Sequence, residues 1–107
     1  MKKGMIDEAI EKFKRAIELA PNVPNLYYNL GMAYDRKGQI DKAITEYRKA
    51  LQLFPGNSSY LLNMGDDLYK KGSFEDAIIC FNTVLKNDPE DIRALKSKGK
   101  SLAQLKR

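Results

Sequence analysis

The sequence contains no histidine and no tryptophan, and it has a single cysteine, Cys80. One cysteine cannot form a disulfide bond within the chain, and a zinc site without histidine would have to be built from carboxylates alone. With no histidine and no activated cysteine, no pair of nucleophile and general base can be named. We therefore predict that the chain is not an enzyme and that it holds no metal and no cofactor.

The chain also lacks a long apolar run. Spanning a bilayer needs about 20 consecutive, mostly apolar residues, and no apolar stretch approaches that length. At the N-terminus, Asp7 and Glu8 come before any apolar run of signal-peptide length can form. We therefore expect no membrane partner, and we predict a cytoplasmic protein.

Acidic residues are missing from the last part of the chain. Six of the 19 basic residues and none of the 14 acidic ones lie between Ile92 and Arg107. Such a segment can bind an acidic peptide or a phosphate backbone, or it can serve only to keep the surface solvated. No aromatic residue follows Phe81, so the segment lacks a stacking platform for single strands. Nucleic acid is therefore a weaker alternative than protein.

What the sequence does contain is a 34-residue period. A shift by one period superposes four columns, which are Pro21, Pro55 and Pro89; Gly4, Gly38 and Gly72; Gly31, Gly65 and Gly99; and Ala9, Ala43 and Ala77. A period of this length indicates supersecondary units that stack on their neighbours. Apolar residues recur at helical spacing within the units, so the units are predicted to be helical.

One unit shows a characteristic order of large, small and proline positions, which are Tyr27, Leu30, Gly31, Tyr34, Ala43, Tyr47 and Pro55. This spacing resembles the tetratricopeptide repeat. The resemblance implies an all-α fold, a right-handed α-solenoid of antiparallel helical hairpins with six helices. It also implies a scaffold that binds a peptide or a partner protein, although a fold of this kind does not identify the partner.

The period divides the chain into parts, and we predict a single domain over residues 1–107. Its parts are a half repeat with only the second helix (1–23), two full repeats (24–57 and 58–91) and a terminal capping helix (92–107). In that last helix, Lys98 takes the place of Leu30 and Met64. A polar residue on a normally covered face is typical of a capping helix.

Glycines and short polar residues predict the ends of the helices. Gly38 and Gly72 are expected to end the first helices in the left-handed conformation. Asp41 is expected as an N-cap or first-turn acid, and Ser58 or Ser59 as the cap of the next hairpin.

Two glycines lie inside the first helices of the two full repeats. Gly31 and Gly65 each cost about 1 kcal/mol in helix propensity relative to alanine. We therefore expect another backbone to come close to them, with Ala43 and Ala77 facing them across the hairpin.

By resemblance, the first helix of each hairpin lines a concave groove. The predicted groove residues are Asn25, Tyr28, Asn29, Met32, Leu62, Asn63, Asp66, Tyr69, Arg93, Lys96 and Lys100, and five further positions on that face are Asp35, Arg36, Ser59, Lys70 and Ser97. The apolar members can anchor a peptide while the asparagines hydrogen-bond its backbone. The tyrosines at 28 and 69 have an alternative role, because they can simply pack between helices.

Some members of the family hold the C-terminal carboxylate of a chaperone tail with Lys and Asn from one hairpin, Asn from the next, and Lys and Arg from the third. In this sequence, Tyr28 and Met32 stand at the first two positions. Asn63 matches, Arg93 has a similar charge, and Ser97 replaces the final Arg. In a register shifted by one repeat, Asn29 matches, but Ser59 and Asn63 occupy the basic positions and the first helix is missing. Neither register gives a complete clamp, so it stays a minor alternative to general peptide binding.

The first helix suggests a different class of function. Its apolar stripe includes four residues that a preceding helix would cover in a complete repeat, which are Ile6, Ala9, Phe13 and Ala16. Exposed apolar patches often mark interfaces. The alternative prediction is therefore a self-associating structural module, a homo-oligomer that pairs through this helix.

Overall fold

The computed structural model describes residues 3–106, which form six helices and no strand. The helices are α1 (Lys3–Leu19), α2 (Pro24–Lys37), α3 (Ile40–Leu53), α4 (Ser58–Lys71), α5 (Phe74–Asn87) and α6 (Ile92–Leu105). The helices α2, α4 and α6 begin at residues 24, 58 and 92, so the 34-residue period of the sequence is also the spacing of the helices. The predicted all-α helical repeat fold is confirmed. Arg107, part of the predicted basic segment, lies outside the described residues.

The ends of the first helices follow the sequence prediction. Gly38 and Gly72 have φ angles of 84° and 90°, in the left-handed region. At the first of these ends, the N–H groups of Gly38 and Gln39 donate to the carbonyl oxygens of Asp35 and Tyr34 at 3.0 and 2.9 Å. Glycine adopts this conformation without steric cost, so each helix stops here and the chain turns into the next one.

The helix starts include one correction. The side chain of Asn57 accepts a hydrogen bond from the N–H of Tyr60 at 3.0 Å and caps α4. Ser58 and Ser59, one of which was expected as the cap, lie in the first turn instead. An asparagine just before the first turn reaches an N–H group that has no partner within the helix. Asp41 lies in the first turn of α3, one of its two expected places.

The helices form two compact units, Met1–Pro55 and Gly56–Arg107. In the first unit, α2 packs against both α1 and α3. In the second unit, α5 packs against both α4 and α6, and α4 also contacts α6. The division of one domain into repeats at 1–23, 24–57, 58–91 and 92–107 remains a prediction.

Gly31 and Gly65 lie under aromatic rings. A Cβ atom at Gly31 would lie 2.5 Å from Tyr47 Cε1, and a Cβ atom at Gly65 would lie 2.6 Å from Phe81 Cε1. Both rings are fully buried. The prediction that a backbone opposite Ala43 and Ala77 sets the need for glycine is therefore wrong, since the close neighbour is the ring of the residue four positions further along. Only glycine leaves room for it.

The last helix presents an apolar face that no described helix covers. Leu95 is 50 % exposed and Leu102 is 43 % exposed, whereas their period equivalents Leu61 and Leu68 on α4 are 6 % and 4 % exposed. Between the two leucines, a Cβ at Gly99 would meet no atom within 4 Å beyond its chain neighbours and the backbone of its own helix.

Candidate functional site

In the second unit, five of the predicted groove residues lie together. Asp66 and Tyr69 on α4 and Arg93, Lys96 and Lys100 on α6 line a cleft of about 360 Å³. Lys70 and Ser97 complete the lining. These seven residues are called the basic cleft below. Their formal charges are four positive and one negative.

The acidic residue of the basic cleft is paired with one of its cations. Arg93 Nη2 donates to Asp66 Oδ2 at 2.6 Å and to Asn63 Oδ1 at 3.0 Å. Ser97 Oγ lies 3.4 Å from the other carboxylate oxygen of Asp66. Charge-assisted hydrogen bonds of this length are among the stronger ones in proteins. The pair therefore fixes the wall of the cleft and neutralises Arg93.

The other cations of the basic cleft are not neutralised. Lys70, Lys96 and Lys100 form no ion pair with any residue that the structure describes. Lys70 and Lys96 are solvent-exposed, as is Lys100. Three cations on adjacent turns of two helices create a local positive potential that attracts carboxylates or phosphates.

Tyr69 forms the aromatic part of the basic cleft. Lys100 Nζ lies over its ring, 5.2 Å from the centroid, and the ring of Phe74 packs edge-on at 5.3 Å. Gln104 Nε2 lies 3.5 Å from the hydroxyl oxygen. The sequence placed no aromatic residue in the basic segment itself, but the fold brings one in from α4. Because Lys100 covers its face, a nucleobase would have to displace that lysine in order to stack.

Four more of the predicted groove residues lie on α2 in the first unit. Asn25 is exposed, and Tyr28, Asn29 and Met32 are half-buried. The ring of Tyr28 lies 5.7 Å from that of Tyr47, centroid to centroid. Tyr28 and Tyr69 thus both pack against an aromatic neighbour and both keep some exposed surface.

A second cleft, of about 170 Å³, lies between α1 and α2. Its lining is mainly apolar and consists of Ile6, Ala9, Phe13, Asn29, Met32, Ala33 and Arg36. This N-terminal cleft contains three of the four residues predicted for self-association. Ile6 is itself buried, whereas Ala9 and Phe13 are half-buried. Ala16 is half-buried outside the cleft.

Two residues that were predicted to be accessible to a partner are buried. Leu62 is 7 % exposed and offers little surface to a ligand, and Ile6 is 6 % exposed. Ala33 and Gln104 were missed. The period could have found Gln104, because it stands one period after Lys70, which was placed on the groove face.

Within the described residues, no group of three His, Cys, Asp or Glu side chains is placed to hold a metal ion. Over the same residues, no helix is long and apolar enough to span a membrane. Both clefts offer a ligand charged, hydrogen-bonding or apolar side chains.

Comparison with family models identifies the repeats. A model described as TPR repeat matches residues 1–38, and one described as tetratricopeptide repeat matches residues 24–57 and again 58–91. The chain is a tetratricopeptide repeat protein. Repeats of this family typically serve as binding scaffolds rather than as enzymes.

Solved structures of other tetratricopeptide proteins share the fold. The first TPR of Spaghetti (RPAP3) bound to the HSP90 peptide SRMEEVD has a TM-score of 0.91 at 23 % identity, over 98 % of this chain and 83 % of that one. The second TPR domain of human RPAP3, in complex with the HSP70 peptide SGPTIEEVD, has a TM-score of 0.83 at 25 % identity, over 92 % and 82 %. A thermophilic TPR protein of Thermus thermophilus has a TM-score of 0.83 at 22 % identity, over 94 % and 52 %. No curated protein sequence matches significantly.

Proposed function

We propose that this tetratricopeptide protein is an interaction module that binds an acidic peptide segment of a partner protein, with the basic cleft as the contact for the carboxylates. The observation that carries the proposal is the excess of cations in that cleft. Lys70, Lys96 and Lys100 have no described carboxylate partner, and they line the same cleft as the half-buried ring of Tyr69, over which Lys100 lies. An aromatic ring beside several cations suits a peptide that alternates acidic and apolar side chains.

The structural neighbours support this class of ligand. The human RPAP3 domain binds a peptide whose last residues are EEVD, a sequence with three acidic side chains. The terminal-carboxylate clamp is incomplete in this chain, because Tyr28, Met32 and Ser97 occupy three of its positions. We therefore expect side-chain carboxylates, rather than the chain terminus, to contribute most of the contact.

The test is fluorescence polarisation with a labelled SGPTIEEVD peptide, made once with a free C-terminus and once with a C-terminal amide. Lys96→Ala and Lys100→Ala are each expected to weaken binding about fivefold, equivalent to about 1 kcal/mol for a partly exposed charge pair. Lys86→Ala is the matched control, because Lys86 is an exposed lysine on α5 outside the cleft. The free acid and the amide are expected to bind about equally.

Two results would contradict the proposal. The first is binding that Lys86→Ala weakens as much as the cleft variants do. The second is the absence of any binding by this peptide and by a panel of acidic peptides with aromatic or aliphatic spacing. A steep salt dependence on single-stranded RNA, with no response to peptide, would instead favour the nucleic-acid alternative.

A second candidate function is self-association through α1. The N-terminal cleft favours it, because Phe13 is only half-buried there, while the equivalent rings of Tyr47 and Phe81 are fully buried. Sedimentation of the wild-type chain over a range of concentrations tests it. A species larger than the 12.2 kDa monomer supports self-association, and a monomer at every concentration refutes it.

A further inference from the structure

Helices α1 and α6 are each one half of a helical hairpin, and they are different halves. By the 34-residue period, α1 corresponds to the second helices α3 and α5, and α6 corresponds to the first helices α2 and α4. In the described residues, α1 has no first helix before it and α6 has no second helix after it. Each half therefore presents the type of face that the other half would cover.

The contact that joins the two helices of a complete hairpin is a ring over a glycine. Tyr47 lies over Gly31 and Phe81 lies over Gly65. Phe13 stands one period before Tyr47, in the ring column, and Gly99 stands one period after Gly65, in the glycine column. Phe13 is half-buried, and a Cβ at Gly99 would meet nothing within 4 Å. The described chain thus carries one unmatched ring and one unmatched glycine.

We propose that α6 of one copy completes the hairpin of α1 in a second copy, with Gly99 of the first under Phe13 of the second. The proposal rests on the second candidate function, self-association through α1, and adds the surface on the partner. The two surfaces differ, so the contact is heterologous, and every copy can offer α6 to one neighbour and α1 to another.

The N-terminal cleft is the surface that a first helix covers in the second unit. There, two residues of α4 make the contacts. Asp66 contacts Ser97 on α6, and Tyr69 contacts Phe74 on α5 and both Lys100 and Gln104 on α6. The residues two periods before those four partners are Asn29, Ile6, Met32 and Arg36, and all four line the N-terminal cleft. A first helix of the same repeat type is therefore the shape that this cleft accommodates.

The α6 helix meets that requirement with an apolar face. Its exposed leucines, Leu95 and Leu102, flank Gly99 and correspond to leucines that are buried on α4. The charges of the two helices disfavour the alternative pairing of α6 with a second α6. The α6 helix carries four cations and no acid, whereas α1 is balanced, with four acidic and four basic residues. Two copies of α6 therefore repel each other, and α1 is the better partner for α6.

Two residues of α6 reduce the strength of the contact. Ala103 stands where α4 has Tyr69, which leaves part of the cleft unfilled, and Lys98 stands where α4 has Met64. We therefore expect weak, reversible association. Lys98→Met introduces the residue that α4 has at the equivalent position. It is expected to tighten association about tenfold, because a partly buried ammonium group is removed from the contact.

The decisive experiment mixes two blocked variants in sedimentation velocity. Phe13→Glu blocks the α1 surface and leaves α6 intact, and Gly99→Leu blocks the α6 surface and leaves α1 intact. Each variant alone is expected to stay at 12.2 kDa, while an equimolar mixture forms a dimer and stops there. Ile79→Glu, on a side chain that is 63 % exposed on α5, is the control and is expected to associate like the wild type.

Circular dichroism shows whether each variant is folded. Ala9→Arg replaces Phe13→Glu if the latter has lost helix, since Ala9 lines the same cleft. A wild type that stays monomeric refutes both this proposal and self-association. Wild-type association that Phe13→Glu abolishes and Gly99→Leu leaves unchanged refutes the α6 contact alone. A mixture that remains monomeric also overturns the proposal.

Discussion

Alanine in place of glycine is expected to have opposite effects at two equivalent positions, Gly65 and Gly99. Both residues lie inside a helix, in the same column of the 34-residue period. They differ in what an added methyl group would meet. At Gly65 it would lie 2.6 Å from the ring of Phe81, and at Gly99 it would meet nothing within 4 Å.

The magnitudes follow from two competing terms. Alanine gains about 1 kcal/mol in helix propensity over glycine. At Gly65, however, Phe81 is fully buried, so its ring cannot move aside freely, and overpacking a core costs about 1 to 3 kcal/mol. The close contact places this site in the upper part of that range. We therefore expect Gly65→Ala to destabilise the protein by about 1 to 2 kcal/mol, and Gly99→Ala to stabilise it by about 0.5 to 1 kcal/mol.

Urea unfolding followed by circular dichroism measures both changes, at a concentration low enough to keep the chain monomeric. Thermal unfolding is a second readout, because about 1 kcal/mol corresponds to about 4 to 8 °C in a small domain. The wild type is the reference for both. If both substitutions stabilise the protein, the ring of Phe81 does not require glycine at Gly65, and the packing argument is refuted.

Three further predictions concern single side chains. Tyr47→Phe removes a 2.6 Å hydrogen bond from the hydroxyl to Asp35 Oδ2 and is expected to cost about 1 to 2 kcal/mol in urea unfolding; an unchanged midpoint would show that the bond is not stabilising. Asp91→Ala removes the side chain that accepts from the N–H of Ala94 at 2.9 Å, and it is expected to cost about 1 kcal/mol, with Asp91→Asn as the control that retains the cap. Asp66→Ala removes the only acid of the basic cleft and should tighten binding of an acidic peptide in polarisation, whereas weaker binding would mean that Asp66 positions the cations.

The period of the sequence was sufficient to predict most of the fold. Proline and glycine columns set the helix ends, and the observed starts of α2, α4 and α6 repeat at the same period. The left-handed ends at Gly38 and Gly72 were predictable for the same reason, because few other residues adopt that conformation without strain. Local sequence rules were therefore sufficient to predict positions where the backbone conformation suits essentially one residue type, as glycine does at these helix ends.

Other features are not specified by spacing alone, either because several neighbouring residues suit one role or because the contact lies between helices. Asn57, Ser58 and Ser59 are all good N-cap residues, and only the observed start of α4 selects Asn57. The need for glycine at Gly31 was clear, but the ring of Tyr47, rather than a backbone, proved to be its neighbour.

The candidate site shows the same limit. The basic segment had no aromatic residue of its own, and the position of Tyr69 beside Lys100 became visible only when α4 and α6 were seen to pack together. The pairing of Arg93 with Asp66 was equally hidden, since the two residues are 27 positions apart. Sequence reasoning placed these residues on one face, whereas the structure provides their contacts.

The central claim is that acidic peptides bind in the basic cleft, and a titration of isotope-labelled protein with SGPTIEEVD, followed by amide chemical shifts, tests it most directly. The account predicts that the largest shift changes lie in α4 and α6, around Asp66, Tyr69, Lys96 and Lys100, and that they shrink at high salt as the charges are screened. Shift changes confined to α1 and α2, around the N-terminal cleft, or no changes with any acidic peptide, would contradict it.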